Sequence, residues 1–282
     1  MSQSSTLPTP SPCPVVAFMT DFGLDDGDAG VLKGVVLGIA AETQLVDITH
    51  TVAPQNVASG AWILAASYRY FPHGTVFVCV VDPGVGSSRR PIAVSAGEWY
   101  FVGPDNGLFS YVFAEQTVHQ AVTLSQPAYH LAQVSSTFHG RDIFAPVAAH
   151  LAHGVPLSEI GQTVDLVTLQ RLDLRLATRQ GSHFQDARIL HVDHFGNLVT
   201  NIPLHLVPDL FESSHVELTF PQQGRTISER RRFFSDSTPS QDTRPFIYGD
   251  SSGYVGVAIR NGNAARTLHV DDGSAITFVI TS

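Results

Sequence analysis

The sequence predicts an α/β N-terminal domain, built on a layered and mostly parallel sheet, followed by an all-β C-terminal barrel domain. From Val15 to about Gln170, short apolar runs alternate with segments of helical length, which is typical of layered α/β domains. Beyond about Leu172 the helical periodicity ends. Short alternating strands with Gly and Pro turns then fill roughly 100 residues, a pattern that favours a small barrel or sandwich.

The domain boundaries follow from the same change of pattern. We expect a disordered tail over 1–13, the α/β domain over 14–174, a linker over 175–186 and the barrel domain over 187–282. The tail is rich in Ser, Thr and Pro and has neither a basic start nor an apolar stretch, so it does not resemble a signal peptide. The two cysteines, Cys13 and Cys79, form no metal or redox spacing. These features predict a cytoplasmic protein.

The N-terminal half predicts strands and helices in alternation. The predicted strands are 15–20, 44–49, 75–81, 91–96 and 99–103, the last two as a hairpin, and the predicted helices are 28–42, 56–71 and 139–154. Asp28 and Asn56 stand where they can cap the first two helices, and Gly154 ends the third. In the C-terminal half the predicted strands are 187–196, 197–204, 215–220, 244–250, 253–260 and 275–281.

Composition and charge exclude several classes of protein. With 43% hydrophobic and 15% charged residues the chain has a globular composition, and its longest apolar run, 75–81, is too short to span a membrane. Sixteen basic and 25 acidic residues give a net charge of −9, which repels nucleic acid. Lys33 is the only lysine, so lysine chemistry has one candidate. No GxGxxG follows the first strand and no GxxxxGKS occurs, which disfavours nicotinamide and P-loop sites.

A loop with four aspartates follows the first predicted strand. Asp21, Asp25, Asp26 and Asp28 crowd the carboxyl end of that strand, the edge at which α/β sheets bind ligands. Four carboxylates in a short loop suit sugar hydroxyls, an ammonium or sulfonium group, or a divalent cation. The alternative is a solvated loop with a helix cap.

Two further segments carry charged groups that can serve chemistry. In VDPGVGSSRR, Asp82 ends a strand and Arg89 can return toward its carboxylate. A guanidinium in that position keeps the carboxylate ionised and fixes its orientation. In TFHGRD, His139 starts a helix that Asp142 can help cap, and its imidazole suits acid–base or water-orienting work. A structural ion pair and an ordinary histidine are the alternatives. The pairs HLAH and HVDH lack the spacing of a metal site.

Two segments of the C-terminal half combine polar and aromatic side chains. HVDHFGNLVTN contains Asp193, Phe195 and Asn197, and an aromatic ring can stack on a purine while an amide pairs with its edge. DSSGYVGVAIRNGNAAR has polar loops on both sides of a strand, with Ser252 and Arg260 at their edges. Taken alone, a β-turn and a hairpin explain both segments.

These five segments, in this order, resemble a known family. The motifs are FMTDFGLDDGDAGVLKG, VDPGVG with a following Arg, TFHGRD, VDHFGNLVTN and SSGYVGVAIRNGNAA. They are similar to those of the S-adenosyl-L-methionine (SAM) hydroxide adenosyltransferases, adenosine-forming hydrolases related to the fluorinases and chlorinases. The resemblance runs from about Val15 to the C-terminus. It implies an N-terminal α/β domain, a C-terminal β-barrel, and a homotrimer whose sites lie between the N-terminal domain of one subunit and the C-terminal domain of the next.

The resemblance also implies an activity and a set of site residues. SAM would be cleaved by water at C5′ to adenosine and L-methionine, with no cofactor and no metal. Asp82, Arg89 and His139 would form the catalytic set. The implied substrate-binding residues are Asp21 at the ribose hydroxyls, Asp28 near the amino group, Asp193 and Ser252 at the methionine end, Phe195 and Asn197 at adenine, and the backbone from Arg260 to Gly262 at the adenine edge.

The sequence departs from the halogenases at several motif positions. Gly140 stands where the fluorinase motif has serine, and Asp82 and Val85 stand where it has tyrosine and threonine, which argues for water as nucleophile. Gly253 replaces an arginine that resembles a ligand of the methionine carboxylate. A halogenase of the same fold, a non-catalytic SAM-binding trimer and a metal-dependent hydrolase that uses the aspartate loop are the alternative hypotheses.

Overall fold

The computed structural model describes residues 14–174, 176–234 and 243–281, so the tail predicted for 1–13 lies outside the described residues. The chain divides between Asp173 and Leu174 into two compact units. No helix among the described residues has both the length and the apolar character that a membrane span needs.

The first unit is built on a six-stranded mixed sheet. Its strands are β1 (Val15–Thr20), β2 (Gln44–Thr49), β3 (Val76–Val80), β4 (Pro91–Ala96), β5 (Trp99–Pro104) and β6 (Val118–Thr123). They lie in the order β2-β1-β3-β5-β4-β6. Strands β2, β1, β3 and β5 pair in parallel, whereas β4 pairs antiparallel with β5 and β6. The hairpin predicted from the sequence is therefore the point where the sheet changes direction.

Helices cover both faces of this sheet. The helices of the first unit are α1 (Asp28–Ile39), α2 (Val57–Ser67), α3 (Ser110–Glu115), α4 (Ala145–Ala152) and α5 (Leu157–Ile160). Because successive strand residues point to opposite faces, Val16 and Phe18 of β1 pack with α1 and α4, whereas Ala17 and Met19 pack with the α2 residue Leu64. This double burial explains why β1 and β3 are continuous apolar runs.

Helix ends agree with the sequence at two of the expected positions. The Asn56 side chain accepts a hydrogen bond from the Ser59 N–H and caps α2, and Gly154, with a φ of 92°, follows the end of α4. The prediction that Asp28 caps α1 is wrong, because Gly27 occupies the cap position and Asp28 is the first helical residue. The helix predicted from 139 begins instead with a π-helical turn, Gly140–Phe144, before α4.

The second unit consists of antiparallel sheets and one short helix, α6 (Ala264–Leu268). Its strands are β7 (Thr178–Gln180), β8 (His183–Gln185), β9 (Ile189–Val192), β10 (Leu198–Pro203), β11 (His215–Phe220), β12 (Arg225–Ile227), β13 (Pro245–Gly249), β14 (Tyr254–Ile259) and β15 (Thr277–Thr281). They form a sheet of order β13-β14-β10-β9 and a sheet of order β12-β11-β15-β8-β7. Isolated bridges join Arg188 to Ala275 and Arg230 to Ile247. Closure of these sheets into a barrel stays a prediction.

The segment expected to be a linker, 175–186, contains the antiparallel strands β7 and β8. Strand β8 also pairs with β15 through His183 and Val279, and the Phe184 side chain is buried against Phe278. The polar sequence of this segment did not indicate a hairpin. One buried aromatic side chain, Phe184, attaches it to the sheet.

Candidate functional site

Parallel pairing brings the first two motifs to one edge of the sheet. Strands β1 and β3 are neighbours, and each is followed directly by an aspartate, Asp21 or Asp82. The Asp21 N–H donates to the Val80 carbonyl at 3.4 Å, so the chain leaving β1 crosses the end of β3. The Asp21 Oδ2 atom accepts a hydrogen bond from the Gln55 N–H at 2.8 Å, which orients this carboxylate.

The other aspartates of the first loop do not join this arrangement. Asp25, Asp26 and Asp28 are exposed. Among the described residues, no group of three or more His, Cys, Asp or Glu side chains is placed to hold a metal ion. The hydrogen bond that Arg141 donates to Asp142 raises the pKa of the Arg141 guanidinium, and the nearby Asp28 carboxylate adds to this shift.

Asp82 and Arg89 form a nearly buried, bidentate ion pair. Arg89 Nε donates to Asp82 Oδ1 at 3.0 Å and to Oδ2 at 2.9 Å, and Arg89 Nη2 also donates to Oδ2. The side chains are only 9% and 4% exposed, so the pair is shielded from solvent. The prediction that Arg89 returns to Asp82 is confirmed. The turn between them needs Gly86, whose φ is 76° and whose added Cβ would lie 2.4 Å from the Ser136 carbonyl oxygen.

His139 completes a three-residue cluster with this pair. Arg89 Nη2 donates to His139 Nδ1 at 2.9 Å, which requires the neutral imidazole with its proton on Nε2. Burial lowers the pKa of His139, and the Arg89 charge lowers it further, while Asp82 and Asp142 oppose the shift. The neutral imidazole is thus the form that both the hydrogen bond and the electrostatics favour.

Asp142 supports the segment that leads into His139. Its side chain is fully buried, and Oδ2 accepts the Ser135 N–H at 2.8 Å while Oδ1 accepts Arg141 Nε at 2.6 Å. Desolvation raises the pKa of Asp142, but the hydrogen bonds from Arg141 and Ser135 lower it below its usual value. No side-chain bond caps the π-helical turn. The expectation that Asp142 caps this helix is therefore wrong, and it holds the preceding loop instead.

Gly140 is closely approached by aromatic rings. A Cβ at this position would lie 3.1 Å from Phe22 Cζ and 3.4 Å from the ring of Phe138, and the two rings contact each other edge to face at 5.7 Å. A residue larger than glycine would have to displace a ring that leads into the Asp21 loop. The close approach of the two rings therefore favours glycine at this position.

The second unit contains a cavity of about 700 Å³. Its lining residues are Asp193, Phe195, Asn197, Arg232, Phe233, Phe234, Tyr248, Gly249, Asp250, Ser251, Ile259, Asn261 and Gly262. The sequence predicted Asp193, Phe195 and Asn197 as candidate side chains, and Asn261 and Gly262 lie in its predicted backbone contact. Aromatic walls with a few polar groups are typical of sites for small organic ligands.

Asp193 and Asn197 are joined within one turn. Asp193 Oδ1 accepts the Asn197 N–H and Oδ2 accepts Asn197 Nδ2, each at 2.8 Å. The amide orientation of Asn197 is therefore set, and its Oδ1 atom is the end left to meet a ligand. Phe195 lies between them in sequence and is 72% exposed within this unit. An exposed phenylalanine beside an oriented amide is suited to stacking and edge pairing with a flat ring.

Ser252 and Arg260 flank the cavity without lining it. The Ser252 N–H donates to Asp250 Oδ1 at 2.7 Å, and its neighbours Asp250 and Ser251 are the lining residues. Arg260 directly follows β14, and the cavity is lined by the next two residues, Asn261 and Gly262, of which Asn261 has a φ of 53°. This placement agrees with a contact made through the backbone after Arg260.

Sequence reasoning did not name several cavity residues, among them Arg232, Phe234, Tyr248 and Asp250. Tyr248 is buried, which raises its pKa together with the nearby Asp250 and Asp193 carboxylates, and its ring contacts that of Phe234 at 5.2 Å. Arg232 forms an ion pair with Glu212. Asp250 opens a motif that was quoted from the sequence, so its position was the signal available. The others come from segments with no motif.

The two units and their polar clusters define a two-domain enzyme for a small organic substrate. Residues 16–161 match the model of the SAM hydroxide adenosyltransferase N-terminal domain, and residues 187–277 match that of the C-terminal domain. The chain belongs to the SAM hydroxide adenosyltransferase family.

Individual relatives agree with this family. An (R)-S-adenosyl-L-methionine hydrolase of Salinispora tropica is 41% identical over 267 residues, which cover 94% of this chain and 98% of the relative. A fluorinase of an Actinoplanes species is 27% identical over 94% of this chain and 97% of its own. The crystal structure of an uncharacterized conserved protein from Thermotoga maritima superposes with a TM-score of 0.85 at 33% identity, covering 94% of this chain and 99% of that one.

Proposed function

We propose that this enzyme hydrolyses SAM at C5′ to give adenosine and L-methionine, with water as the nucleophile. The observation that carries the proposal is the hydrogen-bonded cluster of Asp82, Arg89 and His139, in a chain whose relatives at 35% to 41% identity are named SAM hydrolases. A merely SAM-binding protein would not need an imidazole held neutral beside an oriented guanidinium.

The demanding step of this reaction is the activation of water as the nucleophile. The C5′–S bond breaks with its electron pair on sulfur, and the leaving group is the neutral thioether of methionine, which needs no general acid. The C5′–O bond forms from water, which must lose one proton. Water held in line at about 3 Å from C5′ gains most of the advantage that positioning can supply.

The cluster divides the work on water between its members. Both carboxylate oxygens of Asp82 accept hydrogen bonds from Arg89, so Asp82 orients the guanidinium. The Arg89 charge stabilises the developing hydroxide. His139 is kept neutral by its lowered pKa and accepts from Arg89 through Nδ1, so its Nε2–H is the group that donates to the water and orients it. The proton that the water loses passes to the Asp82 carboxylate.

The proposed substrate contacts lie on both units. Asp21 holds the ribose hydroxyls, and Asp28 lies near the amino group. Phe195 stacks on adenine, and the adenine edge meets Asn197 and the backbone from Arg260 to Gly262. Asp193 and Ser252 bind the methionine end.

The methionine carboxylate needs a cationic partner that Gly253 does not provide. Arg232, which forms an ion pair with Glu212, is the cationic residue of the cavity lining, and the same lining contains Asp193 and Asp250. We assign the carboxylate to Arg232 and the ammonium to the two aspartates, because a lining with both charges matches an amino acid zwitterion. Arg232→Met is expected to raise KM for SAM about tenfold with little change in kcat. An unchanged KM would remove Arg232 from the site.

The enzyme is proposed to act as a homotrimer, with each site formed by the first unit of one subunit and the second unit of the next. The family resemblance supports this assembly. Co-expression of an Asp82→Asn chain with an Asp193→Ala chain tests it, since mixed trimers would contain some sites with both halves intact. Recovery of activity above either parent is expected. Sites confined to single subunits would give no recovery.

Three further features belong to the same proposal. The two sheets of the second unit are proposed to close into a barrel, which the bridges Arg188–Ala275 and Arg230–Ile247 support because they link the sheets at two places. The reaction is proposed to need no cofactor and no metal, and the enzyme to be cytoplasmic. A halogenase is disfavoured by Asp82 and Gly140, which stand where the fluorinase motif has tyrosine and serine.

The decisive experiment follows the oxygen atom. Purified protein, treated with a chelator, is incubated with SAM in ¹⁸O-labelled water, and the nucleoside product is weighed by mass spectrometry. Adenosine with one heavy oxygen at C5′ is the expected result. Saturable binding without adenosine would move the protein to a non-catalytic SAM-binding role. Activity that appears only after a divalent metal is restored would favour the metal-dependent alternative.

A further inference from the structure

The segments that follow β1 and β2 are joined by a set of hydrogen bonds around Asp21. The Val52 N–H donates to the Thr20 carbonyl at 3.3 Å, and the Gly23 N–H donates to the His50 carbonyl at 2.7 Å. The Gln55 N–H donates to Asp21 itself. The position of the Asp21 loop is therefore determined by the chain that leaves β2.

A polar chain extends from this loop to the only lysine. Thr20 Oγ1 lies 2.9 Å from His50 Nδ1, His50 Nε2 lies 3.0 Å from Asp47 Oδ1, and Asp47 Oδ2 lies 2.5 Å from Lys33 Nζ. Thr20 is fully buried and the His50 side chain is 1% exposed, whereas Asp47 and Lys33 are 40% and 30% exposed. We name these four residues the Thr20–Lys33 chain.

The donors and acceptors of this chain have one consistent arrangement with a neutral histidine. Lys33 and His50 Nε2 both donate to the Asp47 carboxylate, which leaves His50 Nδ1 to accept the Thr20 hydroxyl proton. The Thr20 oxygen then accepts the Phe22 N–H at 3.3 Å. The hydroxyl of Thr20 and both ring nitrogens of His50 therefore have partners, and the Phe22 N–H of the loop donates the last hydrogen bond of the series.

Strand β2 is shaped for this contact. Phe18 of β1 pairs with Asp47, but the next residue, Met19, pairs with Thr49, so β2 carries one extra residue at this point. Such irregularities re-aim side chains and occur near functional sites. Desolvation raises the pKa of Asp47, but Lys33 and His50 lower it below its usual value, so its charge is held at neutral pH.

We propose that His50, Asp47 and Lys33 are positioning residues that hold the Asp21 loop for ribose binding. The inference rests on the proposed function, which puts Asp21 at the ribose hydroxyls. The Thr20–Lys33 chain acts through the Thr20 hydroxyl and the Phe22 N–H, the groups on either side of Asp21. Lys33 supplies the charge that keeps Asp47 as an acceptor for His50.

The test compares two ligands that differ only in the groups Asp21 would bind. Adenosine and 2′,3′-dideoxyadenosine are titrated by calorimetry. The Kd of dideoxyadenosine divided by the Kd of adenosine measures recognition of the ribose hydroxyls. His50→Phe, which fills the same space without hydrogen bonds, is expected to lower this ratio about tenfold. Lys33→Met is expected to lower it about threefold, because its ion pair is partly exposed. In both variants KM for SAM rises while kcat changes less than about twofold.

Control variants separate positioning from general loss of structure. Arg69→Met removes a comparable ion pair, that with Glu115 in the same unit, and is expected to leave the ratio unchanged. Lys33→Arg keeps the charge and is expected to restore most of the discrimination lost in Lys33→Met. Equal weakening of both ligands, or an unchanged ratio in folded His50→Phe and Lys33→Met, would overturn the proposal.

The single lysine permits a second test on the folded wild-type enzyme. Acetylation removes the Lys33 charge and reductive methylation keeps it, and Lys33→Arg treated in parallel reports the effect of modifying the chain's α-amino group. Acetylation alone is expected to lower the ligand ratio. Equal effects of both reagents would overturn the role of charge. Wild-type protein that binds the two ligands equally would instead contradict the proposed ribose contact, whereas the proposed hydrolysis fails only if no adenosine forms from SAM.

Discussion

The two polar regions of this enzyme are built in opposite ways. In the first unit, Asp82, Arg89 and His139 satisfy one another through hydrogen bonds in a nearly buried cluster. In the second unit, Asp193 and Asp250 line an open cavity whose walls include exposed aromatic rings such as Phe195. A pre-formed charged cluster is suited to stabilising a reaction, and an open aromatic cavity is suited to holding a ligand.

This contrast teaches that turnover and affinity should be separable by substitution. Changes in the cluster should act on kcat, because its groups interact with the transition state. Changes in the cavity should act on KM, because stacking and ion pairing are the same in substrate and transition state. The following predictions test that separation.

The largest effect is expected for Asp82→Asn. Loss of the carboxylate removes the group that orients Arg89 and leaves its buried charge without an ion-pair partner. We expect kcat to fall at least about a hundredfold with KM changed less than about threefold, measured as adenosine release under saturating SAM. Glu115→Gln, which removes the partner of Arg69 elsewhere in the unit, is the control and should keep kcat. Unchanged turnover in Asp82→Asn would remove this residue from the mechanism.

A smaller effect, on the other kinetic constant, is expected for Phe195→Ala. Stacking of an aromatic ring on a base contributes about 1–3 kcal/mol, so KM should rise about tenfold while kcat changes little. Tyr70→Ala removes another exposed ring, in the first unit, and should change neither constant. A fall in kcat as large as that of Asp82→Asn would break the division between cluster and cavity.

The smallest effect is a displacement of the pH profile. Burial and the Arg89 charge lower the pKa of His139, so the active neutral imidazole persists to a lower pH than in an ordinary histidine. As pH falls through that lowered pKa the imidazole protonates and kcat should decline, with a midpoint below 6.5. His139→Gln should lose this acid limb together with most of its turnover. A midpoint above 6.5 in the wild type would contradict the assignment.

Local pattern was sufficient for most elements of the fold. The buried strand β1, with five apolar residues and Thr20, and the capping amide of Asn56 appear in the structure as the sequence predicts, because strand and helix-start signals lie in neighbouring residues. Asp28 does not cap α1 because it is itself the first helical residue, and the cap position belongs to Gly27. The hairpin β7–β8 was missed because its attachment depends on packing of Phe184 against the distant Phe278.

The sequence by itself determined which chemical groups stand at the strand ends and, through five ordered motifs, the family to which they belong. Only the tertiary structure decided which of these groups meet. Arg89 and His139 are 50 residues apart, and Thr20 and His50 are 30 apart, yet each pair shares a hydrogen bond. The physical reason is that strand and helix signals are local, whereas such contacts arise only when parallel pairing brings the ends of β1, β2 and β3 to one edge.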